Sequence, residues 1–162
     1  MPQLILRSGR AWQLPRAVAL FFAVIALAWA GTTFTDLLSA LSQRESSGNV
    51  SAVNTQTRYI GLFQMGEKSL QDVGVYAGDR TQTNDWTGGW TGRYGVTSQA
   101  AFLADPNAQI QAETAYLNLV WNRYLVPQGA ASYLGQTING IAVTQSGLLA
   151  ASHLVGSGNV LT

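Results

Sequence analysis

Apolar residues change their spacing along the chain, and each spacing predicts a different element. Residues 17–30 (AVALFFAVIALAWA) form an unbroken, uncharged run that follows three arginines, Arg7, Arg10 and Arg16, with no acid among them. A basic segment, a short apolar core and a small-residue end, here Ala28-Trp29-Ala30, are the layout of an export signal cleaved after Ala30. The run is shorter than the ~20 residues that span a bilayer as a helix. Gly31-Thr32-Thr33-Phe34 extends it toward that length, so an uncleaved anchor through residues 17–34 stays open as the alternative. In both cases the positive-inside bias keeps the arginines cytoplasmic and places everything after residue 31 outside. The expected location is periplasmic, or anchored to the outer face of the cytoplasmic membrane.

Beyond the leader the spacing turns helical. Thr35-Asp36 offers an N-cap, and Leu37, Leu38 and Leu41 follow at helical intervals before a break at Gly48. Leu37, Leu41 and Glu45 stand at i, i+4 and i+8, which puts Glu45 at the end of the apolar stripe with its carboxyl partly buried. Residues 48–59 are small and polar and read as a loop. Residues 61–76 predict a second helix on Phe63, Leu70 and Val73, weakened at Gly74. Residues 77–103, rich in Gly, Thr, Asn and Trp, are too long for an ordinary connection and read as a functional surface insertion. Asp105-Pro106 caps the clearest helix, with an apolar stripe at Ile110, Leu117, Trp121 and Tyr124, running to about Leu125 as the central scaffold. After Pro127-Gln128-Gly129 and a short connection, a last apolar stretch spans residues 147–155 and ends in Gly156-Ser157-Gly158. No closing helix follows before Thr162, so the domain reads as truncated at its C-terminus. The expectation is one mainly α domain over residues 31–162, with no internal repeat.

Composition narrows the chemistry. At 47% hydrophobic and 10% charged residues the chain can bury a core, and its five Trp, six Tyr and five Phe exceed what a small core requires. The net charge of +1 includes the three leader arginines; beyond Ala30 six Lys/Arg face eight Asp/Glu, or 6 − 8 = −2. No block of like charge exists, and nucleic acid is set aside as a partner. With no cysteine and a single histidine, thiol nucleophiles, disulfides and Cys- or His-rich zinc sites are excluded.

Cleaving a glycosidic bond requires a protonated acid at the leaving oxygen, and apolar surroundings are what keep a carboxyl protonated at neutral pH. Glu45 is the candidate. Residues 44–64, RESSGNVSAVNTQTRYIGLFQ, resemble the opening motif of the soluble lytic transglycosylases, in which an ES turn precedes a G-L-[MF]-Q helix start. Residues 104–125, ADPNAQIQAETAYLNLVWNRYL, are similar to that family's later helix, and residues 151–160, ASHLVGSGNV, to its A-A-Y-N-A-G-x-G-x-V segment. The three motifs keep the family's order over residues 36–160.

The resemblance implies a lysozyme-like, goose-type helical fold and cleavage of the β-1,4 bond between N-acetylmuramic acid and N-acetylglucosamine in peptidoglycan. It makes Glu45 the sole catalytic carboxylate, acting first as acid and then as base to leave a 1,6-anhydro-muramyl end. It places Gln64 at the floor of the glycan groove and lets Ser46 begin the turn that fixes Glu45. Local capping and turn hydrogen bonding explain the same two residues equally well. Tyr59, within the quoted segment, is grouped with them as substrate-binding. His153-Leu154 replaces the family's Tyr-Asn, so His153 either takes over a sugar contact or is a core histidine bonded to backbone. The family's downstream tyrosine has no counterpart. Trp86 and Trp90 present flat faces to sugar rings or, alternatively, cover the core beneath the long loop.

A hydrolase would need a second carboxylate. Asp72, Asp79 and Asp85 are candidates, and Glu113 reads as half-buried on the long helix, paired within the helix or with a neighbouring arginine. The non-hydrolytic mechanism, in which the substrate's own N-acetyl and C6 hydroxyl groups act, is favoured. No metal or organic cofactor is called for. The expected partners are glycan strands, the membrane through residues 17–34, and a larger secretion, conjugation or phage assembly. Three other readings stay open: an endolysin-like hydrolase, a peptidoglycan-binding or assembly protein without turnover, and a small membrane-anchored structural protein.

Overall fold

The structure, a computed structural model, describes residues 33–161. The export signal and nearly all of the alternative anchor therefore lie outside the described residues. Among the described residues, no helix is long and apolar enough to cross a membrane.

The architecture is mainly helical with two small hairpins. Helix α1 (Phe34–Ser46) is capped by Thr33, whose hydroxyl accepts from the Asp36 N–H while the Asp36 carboxylate accepts from the Thr33 N–H. That cap sits upstream of the expected Thr35-Asp36 pair. Leu37 and Leu41 are buried, and the stripe carries Glu45 to the helix end as its spacing predicts. The helix stops where Ser47 turns left-handed at φ 55°.

The second helix is shorter than residues 61–76 suggest. Only α2 (Glu67–Asp72) is helical, because Gly61 (φ 78°) and Gln64 (φ 48°) are left-handed and Ile60 bridges to both Val53 and Met65. Phe63, Leu70 and Val73 are nevertheless buried. The long segment after it has structure of its own. Strands β1 (Tyr76–Gly78) and β2 (Gly89–Trp90) pair antiparallel, a 3₁₀ turn covers Arg93–Gly95, and α3 (Gln99–Ala104) is capped by Ser98. The end of the expected insertion is thus a core helix, through Phe102.

Helix α4 (Pro106–Val120) opens as predicted, with Asp105 accepting from the Asn107 and Ala108 N–H groups and Pro106 at the first position. It continues into a π turn at Trp121–Leu125. A 3₁₀ turn at Ala130–Tyr133 leads to the hairpin of β3 (Thr137–Ile138) and β4 (Ile141–Ala142), joined by Asn139-Gly140. Helix α5 (Gln145–Val155) is capped by Thr144 and ends at Gly156.

Helix α4 packs against α1, α2, α3 and α5 and is the scaffold, but on a different face from the expected one. Ile110 and Tyr124 are 38% and 40% exposed, whereas Ala108, Gln109, Ala112, Glu113, Leu117 and Val120 are buried. The two alanines thin the helix where its neighbours approach. The inward turn of Gln109 and Glu113 then makes the polar face the one that matters.

Gln109 is 1% exposed and fully bonded. Its Oε1 accepts from the Leu62 N–H at 2.6 Å, and its Nε2 donates to the carbonyls of Val50 (3.1 Å) and Phe102 (2.8 Å). One side chain thereby ties both ends of the 50–62 loop and the end of α3 to α4. The contact needs glycine at 61, where a Cβ would lie 2.4 Å from Oε1. Gln109→Leu keeps the volume and strands three backbone groups, each costing ~1–3 kcal/mol when buried without a partner. Guanidinium unfolding is expected to show a loss of about 3 kcal/mol or more. A loss under about 1 kcal/mol would mean that the amide contributes only packing.

Candidate functional site

Glu45 is placed by two devices. The apolar stripe of α1 carries it to the helix end, and Ser46 pins that end by donating its hydroxyl to the carbonyls of Leu62 (2.9 Å) and Ser42 (3.1 Å). The hydroxyl of Ser46 therefore joins α1 to the loop that Gln109 holds. These bonds fit the turn-fixing and the local-capping readings of Ser46 alike, and Ser46, grouped with the substrate-binding residues from sequence, does not line the neighbouring cavity.

That cavity, of about 300 Å³, is lined in part by Tyr59, Gln64, Tyr116, Leu117 and His153. Three of the residues singled out from sequence thus meet in one place, although they come from the 50–65 loop and from α5. Gln64 holds its left-handed backbone with a side-chain bond from Nε2 to the Gly61 carbonyl at 3.0 Å. Tyr59 is 42% exposed at the rim, over Gly66, where a Cβ would meet its ring at 2.7 Å. Glu45 does not line the cavity but neighbours it through His153: the Glu45 carboxylate lies 3.8 Å from His153 Nδ1 and 3.7 Å from Arg44 Nε. The Glu45 side chain is 23% exposed, in keeping with its expected partial burial.

On the far side of the imidazole, His153 Nε2 lies 3.7 Å from Glu113. Glu113 differs from its sequence reading. It is 1% exposed, neither half-buried nor paired with an arginine, and neither carboxyl oxygen has a hydrogen-bond partner among the described residues. Burial, reinforced by the charge of Glu45, pushes its carboxyl up to about 8, so Glu113 is neutral at pH 7. Burial also lowers His153 below its ordinary range; the Glu45 carboxylate opposes that shift and Arg44 adds to it. A mostly buried imidazole therefore stands between an accessible carboxyl and a protonated, buried one. The sequence places Glu113 near the apolar face of the helix but gives no sign that it is fully enclosed, because the residues that enclose it come from other parts of the chain.

Trp86 and Trp90 do not line the cavity. They stack with ring centroids 5.8 Å apart, meet Tyr76 edge-on, and Trp90 reaches Phe102. The Trp86 indole N–H donates to the Arg58 carbonyl at 2.9 Å. Both pack on the core, as the alternative reading of these residues has it.

The other carboxylates lie apart. Asp72 pairs with Lys68 within α2, while Asp79 and Asp85 join Glu67 in a cluster of oxygens on the 79–87 loop. Hydrogen bonds from Thr87 and Thr81 hold the Asp79 carboxyl well below the usual carboxylate range. Comparison of the chain with family models, curated proteins and solved structures returns no match.

The raised Glu113 carboxyl has a measurable sign. Between its ordinary 4.5 and about 8 the folded chain keeps a proton that the unfolded chain has lost, so stability falls as pH rises. The limiting slope is about 1.4 kcal/mol per pH unit. His153, lowered on folding, acts in the opposite direction below its ordinary 6.5. Thermal unfolding between pH 6.5 and 8 is expected to show a falling Tm in the parent chain and a nearly flat one in Glu113→Gln. Equal slopes would assign the loss to another group.

Proposed function

We propose that this chain is an exported murein-cleaving enzyme of lysozyme-like fold, a lytic transglycosylase of the soluble family, acting between N-acetylmuramic acid and N-acetylglucosamine with Glu45 as its acid and base. The observation that carries the reading is the meeting of the three motif segments. Glu45 from the first, Glu113 from the second and His153 from the third form one contiguous line beside a cavity that also takes Tyr59 and Gln64.

In this mechanism a glycan strand lies over Glu45 and excludes the remaining water. In its acid role Glu45 gives a proton to the glycosidic oxygen as the bond breaks, and the N-acetyl carbonyl of the muramyl residue supports the developing positive charge at C1. Glu45, now a carboxylate, takes the proton of the C6 hydroxyl, whose oxygen closes on C1 as the 1,6-anhydro product. His153, kept neutral by burial, positions Glu45 from one side while Arg44 lies on another.

Among the described residues no second carboxylate stands ready to activate water beside Glu45, which supports this route over hydrolysis. Glu113 is buried and protonated at pH 7, Asp72 is paired with Lys68, and Asp79 and Asp85 belong to another cluster.

Digestion of purified sacculi with the full chain and mass analysis of released muropeptides tests the reading. Anhydro-muropeptides are expected, with Glu45→Gln lowering release by ~10²–10⁴-fold, the usual contribution of a general acid. Reducing-end products would make the chain a hydrolase. Sacculus binding without release in the parent chain would make it a binding protein.

A further inference from the structure

The loop from Asp79 to Thr87 wraps a set of oxygens that the murein chemistry does not use. Among the described residues, Glu67, Asp79 and Asp85 are the one group whose possible ligand atoms converge, all within 4.8 Å of one another. Three carboxylates held this close repel unless a positive charge lies among them. Among the described residues, no lysine or arginine forms an ion pair with any of the three.

The second observation comes from Glu67, which is separate from the loop and belongs to α2. Its side chain is 2% exposed, and the Trp86 N–H supplies one of its oxygens. The other, Oε2, is buried and has no hydrogen-bond partner among the described residues. A buried carboxylate oxygen without a donor is strongly disfavoured and calls for a cation or a proton. The hydroxyls are short of protons as well. Thr87 has one proton for two carboxylate oxygens, of Asp79 and Asp85, each 2.7 Å away. Thr81 stands 2.8 Å from Asp79 and 3.1 Å from Thr83, which reaches Asp85 at 3.2 Å.

We propose that Glu67, Asp79 and Asp85, with threonine hydroxyls of the loop, bind one Ca²⁺ ion. Two ligands on opposite sides of Ca²⁺ at 2.3–2.6 Å stand ~5 Å apart, which matches the observed spread. The donors are all hard oxygens with no nitrogen or sulfur, the set that Ca²⁺ accepts and that zinc and copper do not select. Carboxylates and hydroxyls from an irregular loop suit the irregular shell of Ca²⁺ better than the strict octahedron of Mg²⁺. The ion would join the loop to α2 and, through Asn84 and Arg58, to the 54–59 turn. Asn84 Oδ1 accepts from the Glu67 N–H and its Nδ2 donates to Thr57, while Arg58 donates to the Asp85 carbonyl. The site stands apart from Glu45 and does not rest on the murein reading.

The test uses the full chain, freed of metal with EDTA and dialysed, with CaCl₂ and TbCl₃ as probes. Terbium luminescence sensitised by the neighbouring Trp86 is expected to saturate at one ion per chain and to be displaced by Ca²⁺. Millimolar CaCl₂ is expected to raise Tm by about 5 °C through preferential binding to the folded state. In Asp79→Asn/Asp85→Asn the luminescence and the Ca²⁺ shift are expected to vanish. The metal-free Tm of that variant should equal or exceed that of the metal-free parent, because repulsion has been removed; a folded variant is thus part of the expected result. A parent Tm unchanged by Ca²⁺ with no sensitised luminescence overturns the site. An equal shift from Mg²⁺ at the same concentration overturns the calcium assignment.

Discussion

The site depends on the rule that a buried polar group must be partnered, and Gln109 is where the fold meets it. Its amide closes three backbone valences from three segments, of which two, Val50 and Leu62, bracket the loop that leads from Glu45 to Gln64. Without that amide, the Leu62 carbonyl to which Ser46 donates would have no fixed position. Glu45 is thus held by a chain of dependence that runs from α4 through the loop to the end of α1. Left-handed Gly61 lets the loop approach closely enough for the amide to reach it.

Glu113 meets the same rule differently. It sits one helical turn beyond Gln109, equally buried, but takes up a proton where Gln109 takes up hydrogen bonds. The pair makes one face of α4 polar inside the core. One member supplies geometry to the loop, and the other sets the electrostatics beneath His153. A leucine at Glu113 would remove a buried carboxyl that has no hydrogen-bond partner among the described residues, whereas a leucine at Gln109 would strand three backbone groups.

Much of this was legible along the chain. The stripe of Leu37, Leu41 and Glu45, the Asp105-Pro106 start and the apolar run of α5 depend on local spacing, and the structure follows them. The face of α4 was not legible, because counting apolar side chains favours Ile110 and Tyr124 over small alanines flanking Gln109 and Glu113. The second helix is cut short by left-handed residues, and Gln64 at such a position carries no sequence signal. Asn139-Gly140 did carry one, since both residues adopt positive φ in a two-residue hairpin turn, but it sits between strands too short to show alternation. The convergence of Tyr59, Gln64 and His153 spans nearly the whole described chain and depends on tertiary packing alone. So does the meeting of Glu67 with the 79–87 loop.

The cap at Thr33 bears on mechanics. Its backbone is extended, so the axis of α1 begins there. From that joint α1 runs about 18 Å to Glu45 at 1.5 Å per residue. A pull applied to the N-terminal segment would therefore load the capping box first. It would reach the acid only along a stiff rod whose far end is bolted to the Leu62 carbonyl. Tension entering at Thr33 would thus be taken up by the capping box before it is felt at Glu45.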